Sequence, residues 1–242
     1  MDFAEHLRTI RSEGEALGAV SATDLTVRVP SCPDWDVAGL VGHTGWVHRW
    51  VTMILEAPPG EKVSAREVPT APAGAAVLDW YAEGLAALGA AFDRADPDAP
   101  RHTFVGPRDT RWWARRLAHE NAVHRWDREA ATGTARPFDA DLAVDGIDEV
   151  ITTHLQNRFD RAAFGAAGQT MHLHATDAPG EWTITFDADA VRCARGHAKG
   201  DVAVRGTASD LLLWVMSRVG DDRMELFGDT ELARRFRDVA NI

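Results

Sequence analysis

Apolar residues recur every three to four positions over much of the chain, which is the spacing of one buried helix face. Proline and glycine interrupt this rhythm, most densely at residues 58–74, where four prolines and two glycines predict a loop. Between such breaks the pattern predicts five helices, over residues 3–20, 37–55, 75–95, 111–132 and 140–159. Residues 1–162 are therefore predicted to form an all-helical part.

After Gly165 the pattern changes from helical to alternating, and short apolar–polar segments are separated by turn residues such as Pro179 and Gly180. This alternation predicts strands at residues 171–175, 181–186, 191–194, 201–205 and 224–228, with helices at 207–216 and 229–239. The fold class is therefore α+β, with a helical domain at 1–162 and a small α+β domain at 168–242.

Two of the predicted helices contain side chains suited to binding a metal. Glu120 and His124 lie one turn apart on one face of helix 111–132, and carboxylate and imidazole are both zinc ligands. The same spacing is also that of an ordinary side-chain pair, and two ligands do not make a site. His43 lies on the apolar side of helix 37–55, where a core histidine bonded to a neighbour is the simpler interpretation. From the residues alone, both interpretations stay open.

Composition excludes several classes of function. The net charge of −11 argues against a nucleic-acid partner, because phosphate binding needs clustered Lys and Arg. Cys32 and Cys193 are the two cysteines and form no CxxC pattern, which predicts a reduced, cytoplasmic protein without a disulfide framework. No apolar run reaches membrane-spanning length and no export signal is evident, so no membrane span is predicted. Abundant Ala, Arg and Asp are typical of GC-rich genomes and suggest an actinobacterial source.

Three stretches of sequence form a recognisable combination. They read PDWDVAGLVGH at residues 33–43, AHENAVHRWD at 118–127 and GTASDLLLW at 206–214, with Gly228-Asp229 beyond the third. Together they resemble the mycothiol-dependent maleylpyruvate isomerase family over nearly the whole chain. The resemblance implies a DinB-like four-helix bundle with a metal in its core, followed by a small sterol-carrier-like C-terminal domain. It also implies a zinc site, which falls here on His43, Glu120 and His124.

The resemblance further implies a function. Zinc or another divalent metal would hold the thiol of mycothiol as a thiolate, which adds to a small electrophile that the sequence does not identify. Release of the thiol after bond rotation makes the protein an isomerase, whereas retention makes it an S-transferase. Arg218 matches a frequent family arginine and is predicted to act in catalysis by pairing with a substrate carboxylate. A surface arginine is the alternative, and the residues that bind mycothiol cannot be identified.

Two further classes of function stay open. One is a non-catalytic protein that binds a metal or a small molecule and turns over no thiol. The other is a hydrolase that uses a metal-bound water, for which thiol would make no difference to the rate. The partners expected are the small-molecule electrophile and the low-molecular-weight thiol, and the chain is expected to be a monomer or a homodimer.

Overall fold

The chain begins with long helices and ends in a sheet covered by helices, in the predicted order. A computed structural model describes residues 1–240, apart from the side chain of Arg158. These residues separate into two compact units, residues 1–136 and 137–240. The α+β class predicted from the sequence is therefore confirmed, with a helical unit first and a sheet-containing unit second.

The first unit is a four-helix bundle. Its helices are α1 (Phe3–Gly18), α2 (Val37–Glu56), α3 (Ala76–Arg94) and α4 (Thr110–Ala131). Helices α1 and α2 each pack against both α3 and α4, so each helix contacts two others. Between the helices lie a short 3₁₀ turn, Ala65–Glu67, and a two-stranded antiparallel hairpin of β1 (Pro100–Arg101) and β2 (Arg108–Asp109).

Aspartate side chains fix where three of these helices begin. Asp2, Asp36 and Asp109 precede α1, α2 and α4, and each accepts a hydrogen bond from a backbone N–H of the first turn. Such caps satisfy donors that the helix itself leaves unpaired. The caps of α2 and α4 fix the beginning of the two helices that contain His43 and the Glu120–His124 pair, the predicted metal ligands.

The bundle encloses two groups of packed apolar side chains. One lies where α1, α2, α3 and α4 meet and includes Ile10, Ile54, Phe92, Trp113 and Leu117, all nearly inaccessible to solvent. The other joins the ends of α1, α2 and α3 to the loop before α2 and includes Leu17, Val29, Val37, Leu40 and Tyr81. Burial of these side chains is the main force that holds the bundle together. None of the helices among residues 1–240 is both long and apolar enough to cross a membrane.

The second unit begins with a helix that the sequence grouped with the helical part. α5 (Ala140–Glu149) belongs to this unit and packs against α8 (Ala208–Val215), so the division of the described chain falls at 136/137 rather than between 162 and 168. After α5 the backbone continues through wider π turns, Val150–Leu155, into α6 (Gln156–Arg158). The predicted helix 140–159 is thus one helical path with a π segment inside it. A short helix, α7 (Arg161–Phe164), follows.

Five strands form the sheet of the second unit. They are β3 (Gln169–Ala175), β4 (Glu181–Phe186), β5 (Val191–Arg195), β6 (Val202–Gly206) and β7 (Glu225–Gly228), in the order β5-β4-β3-β6-β7. β3 and β6 are parallel, and the other neighbours are antiparallel. One face of the sheet buries Leu173, Trp182 and Ile184, among others, and α8 and α9 (Thr230–Val239) pack against its strands. Side chains alternate along a strand, so His172 and His174 point to the opposite face.

Candidate metal centre

His43, Glu120 and His124 come together in the first unit, between α2 and α4. One donor atom from each lies within 4.8 Å of the other two. Glu120 Oε1 is 3.3 Å from Nε2 of His43 and 3.3 Å from Nε2 of His124. Zinc ligands about 2.0 Å from the metal in a tetrahedron lie about 3.3 Å from one another, so these separations suit a shared cation. The three residues and their donor atoms therefore fit zinc, and occupancy by zinc stays a prediction.

The orientation of the His124 ring is fixed by a contact at its Nδ1. Its Nδ1 lies 3.0 Å from Oδ2 of Asp127, which is fully buried. The hydroxyl of Ser31 donates a hydrogen bond to the other oxygen of the same carboxylate, at 2.5 Å. A carboxylate that accepts the Nδ1–H of a histidine leaves Nε2 to face a metal, and metal-binding histidines usually have such a partner. Asp127 and Ser31 thus hold the His124 ring with its Nε2 towards Glu120.

Arg116 fixes the carboxylate of Glu120 in a similar way. Its guanidinium lies one helical turn before Glu120 and donates to Oε2 at 2.9 Å, while Oε1 faces the two histidines. The division of roles between the two oxygens follows from this contact, because Oε2 is occupied by a charge-assisted hydrogen bond. A ligand held by a second group loses less conformational freedom when a metal binds.

The electrostatics of the site favour a positive charge between the carboxylates. Burial alone would raise the pKa of Glu120, but the neighbouring His124, hydrogen bonds from both histidines and the charge of Arg116 hold that pKa well below its usual range. Burial alone would lower the pKa of His124, but Glu120 and Asp127 raise it to about 9. The carboxylates therefore stabilise a cation at the point where the donor atoms converge.

One side of the site is open to solvent and bordered by an indole. The His43 side chain is 33% exposed, whereas those of Glu120 and His124 are 18% and 10% exposed. The ring of Trp35, in the loop before α2, lies 4.6 Å from the ring of His43 and 6.2 Å from that of His124. A small molecule can therefore approach from the His43 side, against an aromatic surface.

The second histidine of α2, His48, forms a separate buried pair with Asn121 of α4. His48 is fully buried, and its Nε2 lies 2.7 Å from Oδ1 of Asn121. The amide nitrogen of Asn121 donates to the carbonyl of Ile10 at 2.9 Å, so Oδ1 accepts and His48 Nε2 is the donor. Among the residues that the structure describes, none is a hydrogen-bond partner of His48 Nδ1. Of the histidines on α2, His48 and not His43 is the one held in the core.

Arg218 lies in the second unit, directly after α8. Its backbone N–H bonds the carbonyl of Leu213 at 2.8 Å, and Nη1 donates to the carbonyl of Met216 at 2.8 Å. Ser217, just before it, has the left-handed φ of 60°, as expected at the C′ position of a Schellman motif. The helix end therefore fixes the backbone of Arg218, and its role in catalysis stays a prediction.

The sequence did not assign a role to four residues around the site. Asp127 follows His124 by three positions on the same helix face, a spacing that could have indicated its contact with the ring. Arg116 precedes Glu120 by four positions in the same way. Ser31 and Trp35 lie in the loop before α2, far in sequence from Glu120 and His124. No local sequence pattern predicts their contacts.

Family models match both parts of the chain. The mycothiol maleylpyruvate isomerase N-terminal domain matches residues 7–129, and the MDMPI C-terminal domain matches residues 141–235. Crystal structures of the mycothiol-dependent maleylpyruvate isomerase and of one of its mutants align with TM-scores of 0.68 and 0.69, at 13% identity and with 93% of each chain covered. At this identity the crystal structures establish a shared fold. A search of curated proteins finds no match to the chain.

Proposed function

We propose that this chain, which belongs to the mycothiol maleylpyruvate isomerase family, is a metal-dependent enzyme that uses the thiol of mycothiol to isomerise a small cis-alkene conjugated to a carbonyl group. The family is one of enzymes. The observation that supports a metal-dependent reaction is the convergence of His43, Glu120 and His124 within 4.8 Å of one another. Two imidazoles and one carboxylate are the donors of known catalytic zinc sites.

The number of ligands is the first reason to propose catalysis rather than structural support. Structural zinc sites are closed by four protein ligands, whereas catalytic sites have three and leave one position for an exogenous molecule. When bound here, zinc would lower the pKa of a coordinating thiol and supply a thiolate at neutral pH. The exposed edge of His43 gives such a thiol a route of approach.

The residues around the ligands would hold the site ready for the reaction. Arg116 holds Oε2 of Glu120, and Asp127 accepts the Nδ1–H of His124 while Ser31 anchors Asp127. Because Arg116 and Asp127 lie on α4, which the bundle already packs, little rearrangement would accompany binding. The ring of Trp35 excludes water from one side of His43 and offers an apolar surface to the alkene.

The proposed reaction consumes no thiol. When bound, the thiol would supply a nucleophile that adds reversibly to one alkene carbon, with the π electron pair taken up by the conjugated carbonyl. The resulting single bond could then rotate, and departure of the thiolate would restore the double bond in the trans form. If the adduct instead takes up a proton and departs, the same first step gives an S-conjugate, which is the S-transferase alternative. The isomerase is favoured because the family models that match both domains bear that name.

We also propose that Arg218 pairs with a carboxylate of the substrate, since guanidinium binds carboxylate bidentately. Replacing Arg218 with Gln should raise KM for a dicarboxylate substrate far more than for a neutral alkylating electrophile. Equal losses with both substrates would contradict this role.

The decisive experiment separates thiol dependence from metal dependence. Purified protein is stripped with a chelator, reloaded with zinc, and assayed with a maleyl-type cis substrate and with a general alkylating electrophile, each with and without mycothiol. We expect turnover of the cis substrate only when both zinc and mycothiol are present. Glu120→Ala should lose one equivalent of bound zinc and this activity. His102→Ala is the matched control, because His102 lies outside the cluster and contributes its carbonyl, not its side chain, to a bond with Trp113.

Each other outcome points to a different function. Turnover that is independent of thiol would identify a hydrolase that uses a metal-bound water. No turnover at full zinc occupancy would identify a binding protein. Accumulation of a thiol adduct, with no trans product, would identify an S-transferase. Retention of the zinc equivalent in each of His43→Ala, Glu120→Ala and His124→Ala would place the metal elsewhere.

A further inference from the structure

A second group of two histidines and one glutamate lies in the C-terminal unit. His172 is on β3, Glu181 begins β4, and His197 follows β5. One donor atom from each lies within 4.8 Å of the other two, as in the first cluster. These residues belong to a different unit from the first cluster and share none of its residues, so a role for them does not rest on the proposed reaction.

The contacts within this cluster centre on one carboxylate oxygen. Glu181 Oε2 lies 3.0 Å from Nε2 of His172 and 2.7 Å from Nδ1 of His197. The rings of the two histidines meet edge to face, with centroids 5.0 Å apart. Two imidazole nitrogens therefore point at the same oxygen from two sides. The separations of 3.0 and 2.7 Å are about 0.3 and 0.6 Å below the roughly 3.3 Å between ligands around zinc, so side-chain rotations would have to widen them to admit an ion.

The path of the backbone explains why these residues meet. β5 and β6 run in the same direction, and only residues 196–201 connect them, although β4 and β3 lie between. The connection crosses the sheet on the face opposite the core. A Cβ on Gly200 would lie 2.9 Å from the backbone nitrogen of His172, so the crossing segment lies directly on β3. This covering buries His172, while the His197 side chain stays 75% exposed.

Residues 196–201 form an unusually short connection between two parallel strands. Parallel strands are usually joined by a dozen or more residues that contain a helix. Here residues 196–201 make the connection, held at one end by the Gly196 N–H bonded to the carbonyl of Glu181 and at the other by the Asp201 N–H bonded to the carbonyl of Thr170. Between these anchors, His197 supplies the side-chain contact that ties the segment to the sheet.

We propose that His172, Glu181 and His197 form a second site for a divalent transition metal of the zinc class, which clamps residues 196–201 onto the sheet. Imidazole donors select late first-row metals over Mg²⁺ and Ca²⁺, which prefer oxygen ligands. One ligand is buried and comes from the rigid centre of the sheet, and another comes from the segment that the metal would hold. The solvent-exposed side, at His197, is the route of entry.

The test uses the full chain and zinc alone. In Glu120→Ala, which removes a ligand of the first cluster, Zn²⁺ titration by calorimetry should still show one equivalent. Adding His197→Ala should abolish it, and adding His174→Ala should not. His174 is the matched control, because it lies on the same sheet face, with its ring 6.0 Å from that of His172, but is not part of the cluster. In the otherwise unaltered chain, His197→Ala should lower total bound zinc by one equivalent.

A second measurement asks whether the metal clamps the segment. If trypsin cleaves after Lys199 when the segment has left the sheet, free Zn²⁺ at ten times the Kd of the second site should slow this cleavage about tenfold. Cleavage after Lys62, in the first unit, is the internal reference. The proposal is overturned if His197→Ala retains the second equivalent, if His174→Ala loses it, or if cleavage after Lys199 is as fast with Zn²⁺ as without it. Each of these results leaves the first metal site and the proposed reaction unaffected.

Discussion

The buried pair of His48 and Asn121 leads to a quantitative prediction about pH. His48 donates through Nε2 to Asn121, while its buried Nδ1 has no hydrogen-bond partner within the described part of the chain. Protonation would place an N–H in the core without an acceptor, and burial lowers the pKa of His48 from 6.5 to about 4. In the unfolded chain His48 therefore binds a proton below about pH 6.5, whereas in the folded chain it binds one only below about pH 4. The free energy of unfolding should fall as the pH falls through this window and level off below it.

The size of the effect follows from the shift. One pKa unit corresponds to about 1.4 kcal/mol, so the change from 6.5 to about 4 amounts to about 3 kcal/mol lost between pH 7.5 and pH 4. His48→Gln keeps a nitrogen donor for Asn121 but does not titrate, so it removes this contribution and leaves the hydrogen bond. Near pH 8 the two proteins differ only by the cost of the substitution, which serves as the reference for the comparison.

Urea unfolding followed by tryptophan fluorescence measures the difference. Both proteins are unfolded at several pH values between 4 and 8 with a chelator present, so that metal binding does not contribute. The free energy of unfolding of the unaltered protein should drop below that of His48→Gln by a growing margin as the pH falls, up to about 3 kcal/mol. Curves that stay parallel within about 0.5 kcal/mol over the whole range would refute the argument that His48 is kept neutral by its surroundings.

Three further predictions concern the metal site and the end of α8. Asp127→Asn should lower zinc affinity at the first site about 10- to 100-fold with all three proposed ligands intact, because the partner of His124 Nδ1 loses its charge. Calorimetry measures this affinity, and Ser31→Ala should have a smaller effect. An unaltered zinc affinity in Asp127→Asn would show that the contact with His124 does not support metal binding. Zinc at 100 times its Kd for the first site should stabilise the chain by about 2.7 kcal/mol more than it stabilises His124→Ala, measured by urea unfolding, and equal stabilisation of both proteins would argue against His124 as a ligand. Ser217→Gly should raise the free energy of unfolding by about 0.5–1 kcal/mol, since Ser217 has a φ of 60° that glycine adopts without strain; a lower value would show that the serine hydroxyl contributes more than the strain costs.

Hydrophobic periodicity identified the helices and strands because each has one buried face. The four bundle helices and five sheet strands lie close to the predicted ranges. The pattern did not reveal the π turns at Val150–Leu155, since six residues are too few to distinguish a wider helical period from the ordinary one. It also did not reveal that α5 belongs to the second unit, because an apolar helix face does not identify its partner.

The sequence also brought the candidate ligands into view, but for two different reasons. Glu120 and His124 are linked by helical spacing alone, whereas His43 was added by the resemblance to a family. The two family models confirm that resemblance. Ser31 donates to Asp127 across 96 positions of the chain, and such a contact depends on the packed bundle rather than on local pattern. The meeting of His172 with His197 depends likewise on the path of the crossing segment. Metal occupancy, isomerisation and the role of Arg218 stay predictions.

The loop at residues 31–36 limits how this site can change in evolution or by design. Within six positions, Ser31 anchors the carboxylate behind His124, Trp35 borders His43, and Asp36 caps α2. The loop is closed on itself by the Val29 N–H bonded to the carbonyl of Trp35. An inserted residue would move at least one of these groups by the length of a peptide unit, about 3.8 Å, and so separate the proposed ligands from the residues that hold them. New substrate preference is therefore expected to arise through exchange of side chains in this loop, and through length variation only in segments such as residues 58–74 that hold no ligand.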